Sequence, residues 1–210
     1  MPETIFIFGA SGHAKVVLDA AQEQGYHVRA LFDDNPELRG KSMLGCTVLG
    51  GRDDLLQWCQ KEQVRKGVVA IGNNRLRAEV AAGLQQADLS LVSVVHPRAV
   101  VARSARIGEG TVVFAGAVVN ADAVFGRNAI VNTSASVDHD CVVGDNVHIA
   151  PGCRLCGHVS VGAGSLLGTG SVLIPGIRIG RDVVVGAGST VLRDVPDGAT
   201  VVGSPARAVR

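Results

Sequence analysis

Aromatic side chains make up only 3% of this 210-residue chain, and it contains no run of Lys and Arg. Single-strand nucleic-acid binders stack bases on aromatic platforms along a basic track, so both parts of such a surface are missing. Twenty basic residues against nineteen acidic ones leave a net charge of +1, which gives a polyanion little to be drawn to. Nucleic acid is therefore not an expected partner. No stretch of about 18 apolar residues occurs, the length that a membrane span requires. Met1-Pro2-Glu3-Thr4 has neither the basic start nor the apolar stretch of a signal peptide, and a cytoplasmic protein is expected. The five cysteines are odd in number, which argues against a disulfide framework. Cys153 and Cys156 match C-x-x-C, but no second such pair completes a zinc site.

What the chain has in excess is order. Written in sixes from Val95, the residues to Pro196 fall into seventeen consecutive hexads without insertion. Every hexad opens on an apolar residue, usually β-branched, as in Val95, Val101, Ile107, Val113 and Val119. The fifth residues are small or aliphatic, and Cys153 is one of them, serving there as a small hydrophobe. Gly108, Gly126, Gly144, Gly162 and Gly180 add a period of eighteen, each following a hexad's first residue. Three hexads thus make one turn of a prism. This is the pattern of a parallel β-helix, the hexapeptide-repeat solenoid. With one strand spacing per coil, its height is about 27 Å. Burying each first-position side chain contributes roughly 1.5–3 kcal/mol before chain entropy is subtracted, so the array is structural first.

Residues 1–94 read differently. Apolar runs at Ile5–Phe8, Val28–Phe32, Cys46–Leu49 and Gly67–Ile71 alternate with helical spacing at 15–24, 52–61 and 74–87. Strands alternating with helices imply a small parallel sheet of Rossmann type, with ligands beyond the carboxyl ends of its strands. Ser11-Gly12-His13, Asp33-Asp34 and Gly72-Asn73-Asn74 would meet there. Backbone N–H groups at a helix start can hold a phosphate, and a carboxylate ending the second strand can take a sugar hydroxyl. Alternatively, the glycines form a tight turn and the two aspartates cap a loop. Gly9 and Gly12 do not complete G-x-G-x-x-G, so NAD is disfavoured against another nucleotide.

The coil period also sorts the polar exceptions in the prism. Residues eighteen apart are vertical neighbours, so Gly157 stands above His139 and His158 above Asp140. His139 and Asp140 are third and fourth in their hexad, near a corner where side chains can point outward. A histidine, a carboxylate and a glycine N–H are the parts of a general base, its orienter and an oxyanion donor. The alternative is a surface histidine satisfied by its neighbour. The spacings between His139, His148 and His158 do not fit the paired zinc ligands of solenoid carbonic anhydrases, and no metal is expected.

An ordered set of segments runs through the whole chain: Gly9-Ala-Ser-Gly12-His13-Ala14-Lys15, Phe32-Asp33-Asp34, Ile71-Gly72-Asn73-Asn74, Asn132-Thr133, Val137-Asp-His139-Asp140, His148-Ile-Ala-Pro151-Gly152 and Val202-Gly203-Ser204-Pro205-Ala206-Arg207. Together they resemble the sialic-acid O-acetyltransferase-like sugar acetyltransferases. That family includes bacterial UDP-4-amino-sugar N-acetyltransferases of the bacillosamine type and dTDP- or GDP-linked relatives. The resemblance implies an α/β Rossmann-like nucleotide-sugar domain, residues 1–94, followed by a left-handed parallel β-helix with a C-terminal tail, residues 95–210. It implies a homotrimer with acetyl-CoA between neighbouring helices. By the same resemblance His139 is the general base and Asp140 its carboxylate partner; Gly157, placed above His139 by the coil count, is the candidate N–H donor. His148, Thr169 and Ala187 would line the acetyl-CoA site, and Ser11, Gly12, His13, Asp33, Asp34 and Gly72 the nucleotide-sugar site. The reaction implied is acetyl transfer to an amino group at C4 of a deoxysugar. O-acetylation of a sugar hydroxyl and a non-catalytic nucleotide-sugar scaffold are the alternatives.

Overall fold

The computed structural model describes residues 2–209, and the chain divides into two compact units, Met1–His96 and Pro97–Arg210. In the first, β1 (Thr4–Phe8), β2 (His27–Phe32), β4 (Cys46–Gly50), β5 (Lys66–Val69) and β6 (Ser90–Leu91) run parallel. The short β3 (Ser42–Met43) adds an antiparallel edge, giving the order β3-β4-β2-β1-β5-β6. Leu44 and Gly45 both take positive φ, the backbone that a tight two-residue hairpin turn requires. Central parallel strands are covered on both faces, which is why Ile5-Phe6-Ile7-Phe8 is apolar throughout and at most 2% exposed.

Helices α1 (Gly12–Gln24), α2 (Arg52–Glu62) and α3 (Asn74–Gln86) join these strands. The apolar spacing places the start of α1 at Lys15, but the helix begins three residues earlier. Extended Ser11 takes the N-cap position without a side-chain hydrogen bond, and Ala14 is already buried in the first turn. Strand β5 stops at Val69 rather than Ile71, because its end meets the turn after β1. The Ala70 N–H donates to the Phe8 carbonyl, and a Cβ on Gly9 would stand 2.5 Å from the Ala70 carbonyl oxygen. Strand β1 lies between β2 and β5, so the chain order reverses there, as it does at the ligand crevices of open α/β sheets.

The second unit is the left-handed parallel β-helix. As far as Val191 its strands are two residues long, made from the last residue of one hexad and the first of the next. They pair eighteen residues apart, as in Val119 with Val137 with Leu155 with Leu173, and Phe125 with Val143 with Val161 with Ile179. First and fifth residues form the core: Val137, Ala135, Val143, Cys141, Ile149 and Cys153 are at most 1% exposed. Gly108, Gly126, Gly144 and Gly162 recur because successive coils touch there. A Cβ at any of them would come within 2.8 Å of the coil above.

The fourth residue carries a signal that the apolar pattern does not show. From Gly110 to Gly188, all fourteen consecutive hexads place it at φ between about +50° and +76°. The corners are therefore built by left-handed residues, glycine in seven cases and Asp, Asn, Ser or His in the others. The seventeenth hexad is not a full side. Val184 pairs with Thr200 and Val185 with Val201, sixteen residues apart instead of eighteen. Its fourth residue, Asp194, is not left-handed, and a shorter turn replaces the corner. Strand Thr200–Val202 then pairs antiparallel with Arg207–Val209 across a cis Ser204–Pro205 bond.

Candidate active site

His139 and Asp140 follow a two-residue strand, Ser136–Val137, and occupy one corner of the coil. Asp140 takes the left-handed backbone at φ +58°, which lets its carboxylate fold back beside the preceding ring. The His139 Nδ1–H donates to Asp140 Oδ2 at 2.7 Å. The neutral ring then keeps its lone pair on Nε2, the atom a general base must present. That edge of the ring leans over buried Gly157: a Cβ there would be 2.6 Å from both Nε2 and Cε1. Only glycine admits the ring in this position, so the space above His139 is filled by its own imidazole.

A third-position N–H faces away from the coil ladder, and several are taken by side chains. Arg127 N–H donates to Asp145, Thr133 N–H to Asn132, and Arg181 N–H to Asp197. The His139 N–H donates to Asp138 Oδ1 at 2.8 Å, and that oxygen also accepts from Asn120 Nδ2 at 2.9 Å. Gly157 N–H has no such acceptor among the described residues. It is an unused donor beside Nε2.

Electrostatics favour the charged ring. The hydrogen bond to Asp140 raises the His139 pKa above the ordinary histidine value, and the negative charges of Asp138 and Asp140 act in the same direction. Asp138 is itself held below the usual carboxylate range by the Asn120 amide first and the His139 N–H second. His158, eighteen residues above Asp140 and also left-handed, brings Nε2 to 3.7 Å from the same Asp140 Oδ2. Its ring meets that of His139 edge to face, with centroids 5.1 Å apart. These three side chains put potential ligand atoms within 4.8 Å of one another. A metal ion on the His139 ring would either displace the Nδ1 proton or occupy the Nε2 lone pair, so coordination and base catalysis exclude each other. His148 is not part of this group.

The remaining sequence-predicted residues fall in three places. His148 lies on another face, where its Nε2 meets the Asn132 amide nitrogen at 3.1 Å. Thr169 and Ala187 are third-position residues one coil apart, and the Thr169 carbonyl accepts from Gly188 N–H. In the first unit, Ser11 in the turn after β1, Gly12 and His13 in the first turn of α1, Asp33 and Asp34 after β2, and Gly72 after β5 lie at the carboxyl ends of the strands. Asp33 is already engaged: Oδ2 accepts from Ala10 N–H at 2.8 Å and Oδ1 from Asn35 N–H at 2.9 Å. Asp34 accepts from the N–H and Nε–H of Arg52. Both aspartates thus shape loops. Gly12 and Gly72 face open space, with nothing within 4 Å of where a Cβ would stand.

The periodicity passed over Asp138, Asn120 and Arg77. Asn120 and Asp138 are eighteen apart, so the coil rule could have found them. Arg77 could not be found that way. It lies buried under the β5 loop, donating to the carbonyls of Ile71 and Gly72 and to Asn74 Oδ1, and burial lowers its pKa to about 10.

Residues 4–84 match the family "PglD N-terminal domain", and residues 158–193 match "bacterial transferase hexapeptide (six repeats)". Over 46 residues, 22% of this chain, it is 45% identical to UDP-N-acetylbacillosamine N-acetyltransferase of Bacillus subtilis (strain 168). The matched segments span 21% of the length of the curated relatives. Among solved structures, perosamine N-acetyltransferase from Caulobacter crescentus, in complex with CoA and GDP-perosamine, aligns with TM-score 0.94 and 41% identity over 100% of this chain and 98% of that one. The acetyltransferase domain of PglB from Neisseria gonorrhoeae, in complex with acetyl coenzyme A, aligns with TM-score 0.91 and 38% identity over 100% of both chains. With its two units and its whole length accounted for by such matches, the chain belongs to the family of hexapeptide-repeat sugar N-acetyltransferases with a PglD-type N-terminal domain.

Proposed function

We propose that this protein transfers the acetyl group of acetyl-CoA to the amino group, at C4, of a nucleotide-linked amino-deoxysugar. The observation that carries the reading is the 2.7 Å contact between His139 Nδ1 and Asp140 Oδ2, which turns Nε2 toward Gly157 and its unused N–H. The amine lone pair attacks the thioester carbon as Nε2 takes a proton from the nitrogen. The Gly157 N–H meets the oxyanion that develops on the former carbonyl oxygen. Collapse of that intermediate breaks the carbon–sulfur bond, and the imidazolium returns its proton to the departing thiolate. Asp140 holds the ring and stabilises the imidazolium between these steps.

His148, Thr169 and Ala187 would line the acetyl-CoA site, and Ser11, Gly12, His13, Asp33, Asp34 and Gly72 the nucleotide-sugar site. Two structures of the Caulobacter enzyme carry one histidine replaced by asparagine or alanine, in complex with CoA and GDP-perosamine. The active assembly in this proposal is a homotrimer working in the cytoplasm. No helix among the described residues is long and apolar enough to cross a membrane.

The test is release of free CoA thiol from acetyl-CoA with GDP-, UDP- and dTDP-linked 4-amino sugars, set beside their 4-hydroxy counterparts. Turnover with an amino sugar is expected, with GDP-perosamine the first to try. His139→Ala should lower kcat by roughly 10²–10⁴ and leave the particle mass in light scattering at that of a trimer. Turnover restricted to hydroxyl sugars would replace this reading with O-acetylation. Near-normal rates in the variant would remove His139 from its role.

A further inference from the structure

The proton count of an amine acceptor asks for more than one base. An amine on a sugar carbon, taken to titrate like an α-amino group near pH ~8, is mostly ammonium at neutral pH. The net reaction is then ammonium plus thioester giving amide, CoA thiol and one free proton. Two protons leave the nitrogen. One travels with the attack, through His139 to the departing sulfur. The other must leave first, because an ammonium has no lone pair with which to attack. A His139 that took this first proton would be spent before the chemical step.

We propose that His158 accepts the first proton from the bound ammonium and releases it to solvent, leaving His139 neutral at Nε2 for the attack. This inference rests on the N-acetyl transfer proposed above. His158 Nε2 lies 3.7 Å from Asp140 Oδ2, beyond a direct hydrogen bond but within ion-pair range. Its ring touches that of His139, with centroids 5.1 Å apart. Its side chain is 65% exposed, so a proton it gains has a route to bulk water. The charges facing it are those of Asp140 and His139 in the coil below, with Asp138 beside His139. Gly176, the corresponding corner residue of the next coil, adds none. One carboxylate therefore serves two imidazoles. It lies within ion-pair range of His158, which holds the first proton, and is hydrogen-bonded to His139, which takes the second. A hydroxyl acceptor brings only one proton and would leave His158 without this task.

Asn at position 158 can adopt the same left-handed backbone, as Asn128 and Asn146 do one corner away, but it accepts no proton near neutral pH. Wild type and His158→Asn would be compared with GDP-perosamine and acetyl-CoA from pH 6 to 9.5. The expected kcat/KM for the amino sugar falls about 10–100-fold at pH 7 in the variant. It should return to within about twofold of wild type at pH 9.5, where the amine is already free. Added imidazole should restore part of the rate at pH 7. A ratio of variant to wild type that stays constant across this range, or no loss at all, overturns the assignment while N-acetyl transfer stands. A wild type that acetylates no amino sugar overturns both.

Discussion

Asn128 and Asn146 hold the same position in the coil as Asp140 and His158, one corner away. All four backbones lie between φ +57° and +60°, and each pair is one coil apart. In the amide column, Asn128 Nδ2 donates to Asn146 Oδ1 at 2.7 Å, and Asn128 is 3% exposed. In the other column the side chains stand in solvent, and the carboxylate is shared by two imidazoles. Backbone geometry is therefore not what separates a stabilising corner from a reactive one. Neutral amides bond to each other and tie the coils together. Ionisable groups that stand in solvent keep lone pairs and protons available.

The sharpest way to break the contrast is at Gly157, which admits the His139 ring. Gly157→Ala puts a methyl group 2.6 Å from Nε2 and Cε1, so the ring must leave its place over the free N–H. A loss of about 10² in kcat is expected, with KM for acetyl-CoA little changed. Steady-state kinetics would show it, and an unaltered kcat would mean that the ring's seat does not matter. A smaller effect follows from Asp140→Asn. The hydrogen bond to Asp140 is the main cause of the raised His139 pKa, so without it the ring titrates at lower pH. The acid limb of the kcat profile should move to lower pH, while the plateau drops about tenfold or more as the imidazolium loses its partner. A limb that stays put would separate the rate-limiting titration from His139. Asn146→Gly should do the reverse of both. It keeps the left-handed corner and removes the amide bond to Asn128, costing about 1–3 kcal/mol of stability with kcat unchanged. Thermal unfolding and turnover, measured together, decide whether the two columns carry separate duties.

Much of this site could be read before any coordinates, because a solenoid makes distance a matter of counting. Eighteen residues is one coil, so the stacking of Gly157 on His139 and His158 on Asp140 follows from their numbers alone. The same count would have matched Asn120 with Asp138, a pair of ordinary surface polar residues that draws notice only once the His139 N–H needs an acceptor. The count failed where the coil itself changed. The seventeenth hexad begins with Val191 and looks apolar enough, but apolar spacing cannot reveal that Asp194 lacks the corner backbone. The α/β unit was less legible, since its loops are set by contacts between distant strands. Asp33 looked like a ligand for a sugar. Its oxygens also hold the Ala10 and Asn35 N–H groups, as only the closeness of the turns after β1 and β2 can show.

The left-handed fourth position has one more consequence. It demands only a permitted backbone angle, and five residue types already meet that demand along this one prism. The corners can therefore exchange side chains without redrawing the core, since first and fifth residues carry the packing. Such a scaffold separates the inheritance of shape from that of reactivity. A carboxylate such as Asp140 can stand at a corner while the apolar residues behind it stay the same.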